Sequence, residues 1–220
     1  MGLWTYLSRN WADVLLLARD HAVVVLVSVT LGAVVALSLG VATYRRPRAR
    51  SVVLGVTGTM LTIPSLALYG LLVSLGLGLG WPPVVVALVL YSLLPITRNT
   101  ITGLLGVDPA ITESAQGMGM GRWRRLVRIE LPLAWPVILA GIRIATAILV
   151  GIAALGAIVN GPGLGDLIFN GLRRLASPAG LPLALTGTVG VAVVGLLLDA
   201  VLLGLARLTA PRGVQGGVHG

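Results

Sequence analysis

Long apolar stretches with almost no charge constrain this chain more than any other feature. Hydrophobic residues make up 56% of its 220 residues and charged residues only 10%, which leaves too little polar surface to cover a water-soluble globule. Because about 20 apolar residues at a rise of 1.5 Å each cross a hydrocarbon core of about 30 Å, the stretches predict helices that span a bilayer. The predicted fold class is therefore all-α, a polytopic membrane protein.

Five spans are predicted from the hydropathy pattern. Their approximate ranges are 22–43, 52–75, 84–99, 137–159 and 181–205. Pro64 is expected to break the second span and Pro95 to kink the third, because proline lacks the N–H that a helix interior needs. A sixth span remains open, since either the first 20 residues or the segment near Ile168 could cross fully.

Two end segments flank the predicted transmembrane domain, which covers residues 22–207. Residues 1–21 contain Trp4, Tyr6 and Trp11. Since aromatic rings favour the headgroup zone, they predict a short helix that lies on the membrane surface. Residues 208–220 are rich in glycine and predict a flexible tail.

The distribution of arginine predicts the orientation, because the chain contains no lysine. With the amino terminus outside and five spans, ten arginines fall on the cytosolic side and four outside, in agreement with the positive-inside rule. The cytosolic set is Arg45, Arg46, Arg48, Arg50, Arg122, Arg124, Arg125, Arg128, Arg207 and Arg212, and the outer set is Arg9, Arg19, Arg173 and Arg174. The carboxyl terminus and the segment around Glu113 are therefore expected in the cytosol.

Several classes of function are excluded or disfavoured by composition. The net charge of +9 would suit a nucleic-acid-binding protein, but the chain has one Phe and no solvated basic face with stacking aromatics. It has no cysteine and two distant histidines, which disfavours a metal site. A P-loop needs lysine, so any ATPase must be a separate polypeptide. No catalytic motif is present, so neither a catalytic residue nor a bound cofactor is predicted.

One long polar segment, residues 108–132, interrupts the apolar chain, and we call it the elbow. Asp108 is expected to cap a helix that starts with Pro109, where the missing N–H costs nothing. Three glycines should end this helix, and a second amphipathic piece with four arginines follows: Gly117, Gly119 and Gly121, then Arg122, Arg124, Arg125 and Arg128. Considered alone, the elbow could be an amphipathic segment on anionic lipid.

The elbow resembles the EAA signature of ABC importer permeases. That signature starts Glu-Ala-Ala, has Gly six residues after the Glu and ends in Ile-x-Leu-Pro. The matching residues are Glu113, Ala115, Gly119, Ile129, Leu131 and Pro132, and Ser114 stands where Ala is usual. In that family the motif forms a short cytosolic coupling helix that docks on the ATPase subunit, so the resemblance implies that these seven residues couple the chain to an ATPase.

Five further stretches resemble the osmoprotectant branch of these permeases, which imports glycine betaine, carnitine and choline. They are residues 62–68, 91–100, 130–134, 140–143 and 163–169, and the resemblance covers about residues 20–212. Methionine-importer permeases resemble the chain less closely at 62–68 and 98–100. The resemblance implies an ATPase dimer that uses ATP and Mg²⁺, a second permease copy and an extracytoplasmic solute-binding protein, in a bacterial or archaeal cytoplasmic membrane.

Four polar or helix-breaking residues are candidates for the translocation path. Thr62, Pro64 and Ser65 surround the predicted break in the second span, where freed carbonyls can face a cavity. Small polar residues also pack helices together, so this alternative stays open. Asn99, beside Arg98 at the end of the third span, could line the path or lie at the interface.

Two alternatives to an ATP-driven importer remain at this stage: an ion-coupled secondary transporter and a membrane scaffold that transports nothing. Secondary transporters contain intramembrane ionisable pairs and inverted repeats, and neither is evident in the sequence. Arg143 and Asp199 lie inside predicted spans, so each is expected to face protein, water or the nearby interface. Neither the solute nor the identity of the second permease copy, identical or paralogous, follows from the sequence.

Overall fold

Nine α-helices and no β-strands occur in residues 3–209, the part of the chain that this computed structural model describes. The all-α prediction is thus confirmed for this part, whereas most of the predicted flexible tail lies outside the described residues. The helices are α1 (Leu3–Thr43), α2 (Pro47–Thr62), α3 (Ser65–Leu72), α4 (Trp81–Leu105), α5 (Pro109–Gly117), α6 (Arg122–Arg125), α7 (Leu131–Leu155), α8 (Gly165–Arg173) and α9 (Gly180–Thr209).

The number of membrane-length helices agrees with the prediction of about five spans. Four continuous segments are long and apolar enough to cross a bilayer. They are Trp4–Thr43, Trp81–Leu105, Arg122–Val159 and Gly180–Thr209. A fifth span exists if the bent pair formed by α2 and the segment Ser65–Leu77 counts as one crossing.

Helix α1 continues through the predicted boundary near residue 22. Its one internal departure from helical geometry is at Asn10 (φ −124°, ψ 19°), where the side-chain Nδ2 donates to the Tyr6 carbonyl at 2.9 Å. The start of the first span is therefore not the start of a helix. The location of residues 1–21 on the membrane surface stays a prediction.

The break at Pro64 is confirmed. Helix α2 ends at Thr62, and the chain turns by 94° before it continues as α3. Ile63 has an extended backbone (φ −65°, ψ 127°), as expected for a residue that precedes proline, because the proline ring disfavours helical geometry there. The break therefore lies at the position that the local sequence indicates.

The fourth span begins earlier than expected. We predicted a start after Pro136, but one helical segment runs from Arg122 through a π-helical stretch, Leu126–Glu130, into α7. Pro132 is the second residue after the π-helical stretch and Pro136 lies inside α7, so the helix continues through both prolines. The arginine-rich part of the elbow is therefore continuous with the helix of the fourth span rather than a separate loop helix.

Helix α4 lies at the centre and packs on α1, α2 and α7. Helices α4 and α1 approach closely at Gly32 and Gly40, which have no Cβ atom. A Cβ built at Gly32 would overlap the side chain of Ser92, and one built at Gly40 would overlap that of Thr100. Ala36, between these glycines, is fully buried. Small residues at four-residue spacing thus allow two helix backbones to approach, as is usual in membrane bundles.

Candidate functional site: the elbow and the broken helix

Helix α5 begins and ends in the elbow as the sequence predicts. The Asp108 carboxylate accepts a hydrogen bond from the Ala110 backbone N–H at 2.8 Å, which satisfies one of the free donors at the start of the helix. The helix ends at Gly117, and Gly119 adopts a left-handed conformation (φ 79°). Since no atom lies within 4 Å of a Cβ built at Gly119, backbone conformation and not space favours glycine there.

The amino-terminal part of the motif presents an exposed face. Glu113 and Ser114 are exposed, whereas Ala115 is 1% exposed and faces the protein. Nearby in the elbow, the large side chains of Met118 and Trp123 are 71% and 74% exposed. The described protomer itself therefore leaves these two apolar side chains uncovered.

The carboxyl-terminal part of the motif lies elsewhere. Ile129 and Leu131 are partly buried, and Pro132 is exposed in the first turn of α7. Leu131 and Pro132 line an apolar groove between α7 and α1. The seven motif residues therefore divide into an exposed helix face around Glu113 and the start of a membrane span.

A buried carboxylate connects these two parts, and no motif in the sequence pointed to a role for it. Glu130 is 1% exposed. Its Oε2 accepts from the Tyr44 hydroxyl at 2.7 Å, and its Oε1 accepts from Arg45 Nη2 at 2.7 Å and Arg125 Nε at 3.0 Å. Arg125 also donates through Nη1 to Gln116 Oε1 at 2.9 Å. We call these five residues the Glu130 cluster; it joins the end of α5, the start of α7 and the end of α1.

Tyr44 keeps its proton in this cluster. Burial is the main cause that raises the pKa of the Tyr44 phenol to about 12, and the hydrogen bond to the Glu130 carboxylate adds to it. Tyr44 therefore remains a hydrogen-bond donor at neutral pH. The Glu130 carboxylate accepts from two arginines and one phenol, so its buried charge is both paired and hydrogen-bonded.

The broken helix presents polar groups at its surface. Thr62 and Pro64 are exposed and Ser65 is partly buried. The Ile63 carbonyl, which the break frees from helical bonding, accepts a hydrogen bond from the Tyr91 hydroxyl of α4 at 2.8 Å. Tyr91 therefore holds the break against the centre of the bundle.

Asn99 does not join this group. It lies eight residues after Tyr91 on α4, about 12 Å further along the helix axis, and its Nδ2 donates to the Pro95 carbonyl at 2.9 Å. A Cβ at Gly141 of α7 would overlap the Asn99 side chain. Asn99 is thus a packing residue of the contact between α4 and α7 as well as a candidate path residue.

One ionisable pair lies within the spans, contrary to the absence inferred from the sequence. Arg143 of α7 donates through Nε and Nη2 to the two carboxylate oxygens of Asp199 of α9, at 2.8 and 2.9 Å. The side chains are 34% and 45% exposed. Hydropathy could not reveal the pair because its members are 56 positions apart.

In residues 3–209 no group of three or more His, Asp or Glu side chains is arranged to hold a metal ion.

Comparison with known families assigns the chain. The family of binding-protein-dependent transport system inner membrane components matches residues 28–211. The chain belongs to this family. It is a membrane-spanning permease, a transport subunit and not an enzyme, and this confirms the resemblance seen in the sequence.

Named relatives match the permease over nearly its whole length. It is 40% identical to the glycine betaine/carnitine/choline transport system permease protein OpuCB of Bacillus subtilis, across 97% of this chain and 96% of that protein. It is also 40% identical to the choline transport system permease protein OpuBB of Bacillus subtilis, across 96% and 94%. Identity to the osmoprotectant import permease protein OsmW of Salmonella typhimurium is 36%, across 96% and 98%.

Solved structures support the same fold for the permease. Inward-facing structures of the MetNI methionine ABC transporter contain a chain that superposes with a TM-score of 0.76, over 90% of this chain and 96% of that one. The sequence identity is 21%, so this likeness shows the fold alone.

Proposed function

We propose that this permease forms the translocation path of an ATP-driven importer for compatible solutes such as glycine betaine, carnitine and choline. The observation that carries the proposal is identity of 36–40% to permeases named for these solutes across almost the full length of both chains. The amino terminus lies outside the cell and the carboxyl terminus in the cytosol. The partners are an ATPase dimer that binds ATP and Mg²⁺, a second permease copy and an extracytoplasmic binding protein.

The elbow is the surface on which the ATPase acts. Its exposed surface carries the Glu113 carboxylate and, five residues later, the apolar side chain of Met118, a combination suited to a protein groove. Motion of α5 reaches the spans through the hydrogen bonds of Gln116 with Arg125 and of Arg125 with Glu130. Because Glu130 also binds Tyr44 and Arg45 at the end of α1, α1 and α7 move together when the ATPase subunits close.

The path follows the broken helix. Thr62 and Pro64 are exposed on the protomer, and a 94° bend inside an apolar segment is tolerated in a membrane only against protein or water. Two such breaks, one from each permease copy, therefore border the route of the solute. Asn99 contributes where α4 meets α7, further along that route.

Reconstitution tests the function directly. We would place the permease in liposomes with its ATPase and binding protein and measure uptake of labelled glycine betaine, carnitine, choline and methionine. The proposal requires uptake of at least one quaternary amine that stops without ATP or without the binding protein. Uptake of methionine and of no quaternary amine would contradict the proposed solute class. Uptake that needs no ATPase and follows an ion gradient would contradict the ATP-driven mechanism. The Arg143–Asp199 pair is the feature on which such an ion-coupled mechanism would depend.

A further inference from the structure

An apolar groove runs between α1 and α7 where these helices approach the elbow. It has a volume of about 470 Å³ and is lined by Leu37 and Val41 of α1 and by Leu131, Trp135 and Ile138 of α7. From residue 131 to residue 138 the groove extends about 10 Å along α7, at 1.5 Å per residue. Its lining residues on α1 and α7 belong to two segments that are long and apolar enough to span a membrane, Trp4–Thr43 and Arg122–Val159, so acyl chains are the solvent that surrounds the groove.

At its elbow end the groove continues into a basic recess of about 530 Å³. The two spaces share Val41, Trp123 and Leu126, so they are contiguous. The recess is bordered by Arg45, Arg46 and Arg122. An apolar furrow that opens into a set of guanidinium groups has the polarity of one phospholipid molecule with an anionic headgroup.

Two of these arginines, Arg46 and Arg122, are not neutralised by a carboxylate of the described residues. Arg45 is paired with Glu130, but the ion pairs within residues 3–209 include neither Arg46 nor Arg122. Both side chains are exposed. Trp123, 74% exposed between them and the groove, is the residue type that occurs at the level of lipid headgroups.

We propose that this groove and recess bind one anionic phospholipid, with an acyl chain along Leu37, Val41 and Ile138 and the phosphate between Arg46 and Arg122. A cytosolic protein does not fit the groove, which lies along the spanning part of α7. A zwitterionic lipid would leave the excess positive charge of the rim uncompensated. Clusters of arginine next to a span attract anionic headgroups, each contributing about fivefold to affinity. The site is independent of which solute the permease carries.

Native mass spectrometry of the full-length permease, released from nanodiscs of mixed phosphatidylglycerol and phosphatidylcholine, tests the site. The wild-type protein should retain one phosphatidylglycerol in preference to phosphatidylcholine. The double variant R46Q/R122Q should lose about thirtyfold in that preference. The matched control is R48Q/R124Q, which removes the same charge from two exposed arginines, each two positions after a tested one. Neither Arg48 nor Arg124 borders the groove or the recess, so this variant should retain the lipid.

A second pair of variants tests the apolar groove. Ser38 lines the groove and Thr30 does not, although both are exposed on α1 with a hydroxyl bonded to the carbonyl four residues earlier. S38F should fill the groove and abolish retention, whereas T30F should not. The proposal would be overturned by equal retention of the two lipids, or by an equal loss of lipid preference in R46Q/R122Q and R48Q/R124Q. It would also be overturned if inorganic phosphate displaced the lipid, or if S38F dissociated a permease dimer without loss of lipid. Size-exclusion profiles establish that every variant folds.

Discussion

Glu130 is the residue on which the elbow geometry depends. Its carboxylate is 1% exposed and receives hydrogen bonds from Tyr44 and Arg45, about 85 positions earlier, and from Arg125, five positions earlier. A sequence pattern could suggest Glu130 only through its apolar neighbours Ile129 and Leu131. Its partners could not be predicted, because they come together only when α1 packs against α7.

Replacement of Glu130 by glutamine should destabilise the permease strongly. The variant leaves the buried Arg125 without its anion, and removal of one partner from a buried ion pair costs about 3–5 kcal/mol. The midpoint of thermal unfolding in detergent should therefore fall clearly. The matched control is E113Q, an equivalent change at an exposed carboxylate, for which an unchanged midpoint is expected; equal midpoints in the two variants would contradict the role of the cluster.

Tyr44 gives the cluster a pH dependence on the alkaline side. The pKa of the phenol is raised to about 12 in the fold, from an ordinary value of 10.0, so the folded state binds this proton more tightly than the unfolded state. The stability that Tyr44 contributes is complete below pH 10 and is lost as the pH rises from about 10 to about 12. Absorbance at 295 nm, as the difference between wild type and Y44F, should titrate near pH 12; a midpoint near 10 would show that the phenol is not held.

Among the helices, those whose ends are set by local chemistry were predicted and those set by packing were not. Pro64 ends α2 and Asp108 caps α5, as the sequence indicates, because each acts through its own backbone or its immediate neighbours. The continuity of the segment from Arg122 to Val159 was missed. The prolines at 132 and 136 suggested a start there, but the helix continues through both positions.

Two glycines of α7 should respond in opposite directions to alanine. A Cβ at Gly141 would lie 2.5 Å from Asn99 Cβ and 2.9 Å from the Pro95 carbonyl oxygen, so G141A should destabilise the contact with α4 by about 1–3 kcal/mol. Gly151 has nothing within 4 Å of its Cβ position. G151A should be neutral or stabilising by up to about 1 kcal/mol. The midpoints of thermal unfolding of the two variants in detergent test this prediction. A midpoint of G141A equal to that of the wild type would show that α4 and α7 are less closely packed.

At the scale of the whole molecule, the Arg143–Asp199 ion pair between α7 and α9 is only partly covered by the described protomer. Charged side chains inside apolar helices are unfavourable against lipid. The charges of Arg143 and Asp199 compensate each other through two hydrogen bonds, and this compensation is lost when either side chain is removed. In the assembly that we propose, the second permease copy or the aqueous path covers this exposed side of the pair.

The two charges should therefore be coupled. R143L and D199L each leave one unpaired charge within the spans, so each single variant should reduce the amount of folded protein in the membrane. The double variant R143L/D199L should recover much of that loss, because it removes both charges at once. Quantitative immunoblotting of detergent-extracted membranes measures this, and additive losses in the double variant would show that the pair does not act as a unit.

The central claim, that the elbow is the surface on which a separate ATPase acts, can be tested by cross-linking. The natural chain contains no cysteine, so a single introduced cysteine reports on one position. With E113C in the assembled transporter, a short bifunctional thiol reagent should join the permease to a cysteine introduced on the surface of the ATPase subunit that faces the permease. The control S177C, in the exposed turn between α8 and α9, should give no such product. A cross-link from S177C and none from E113C would contradict the account.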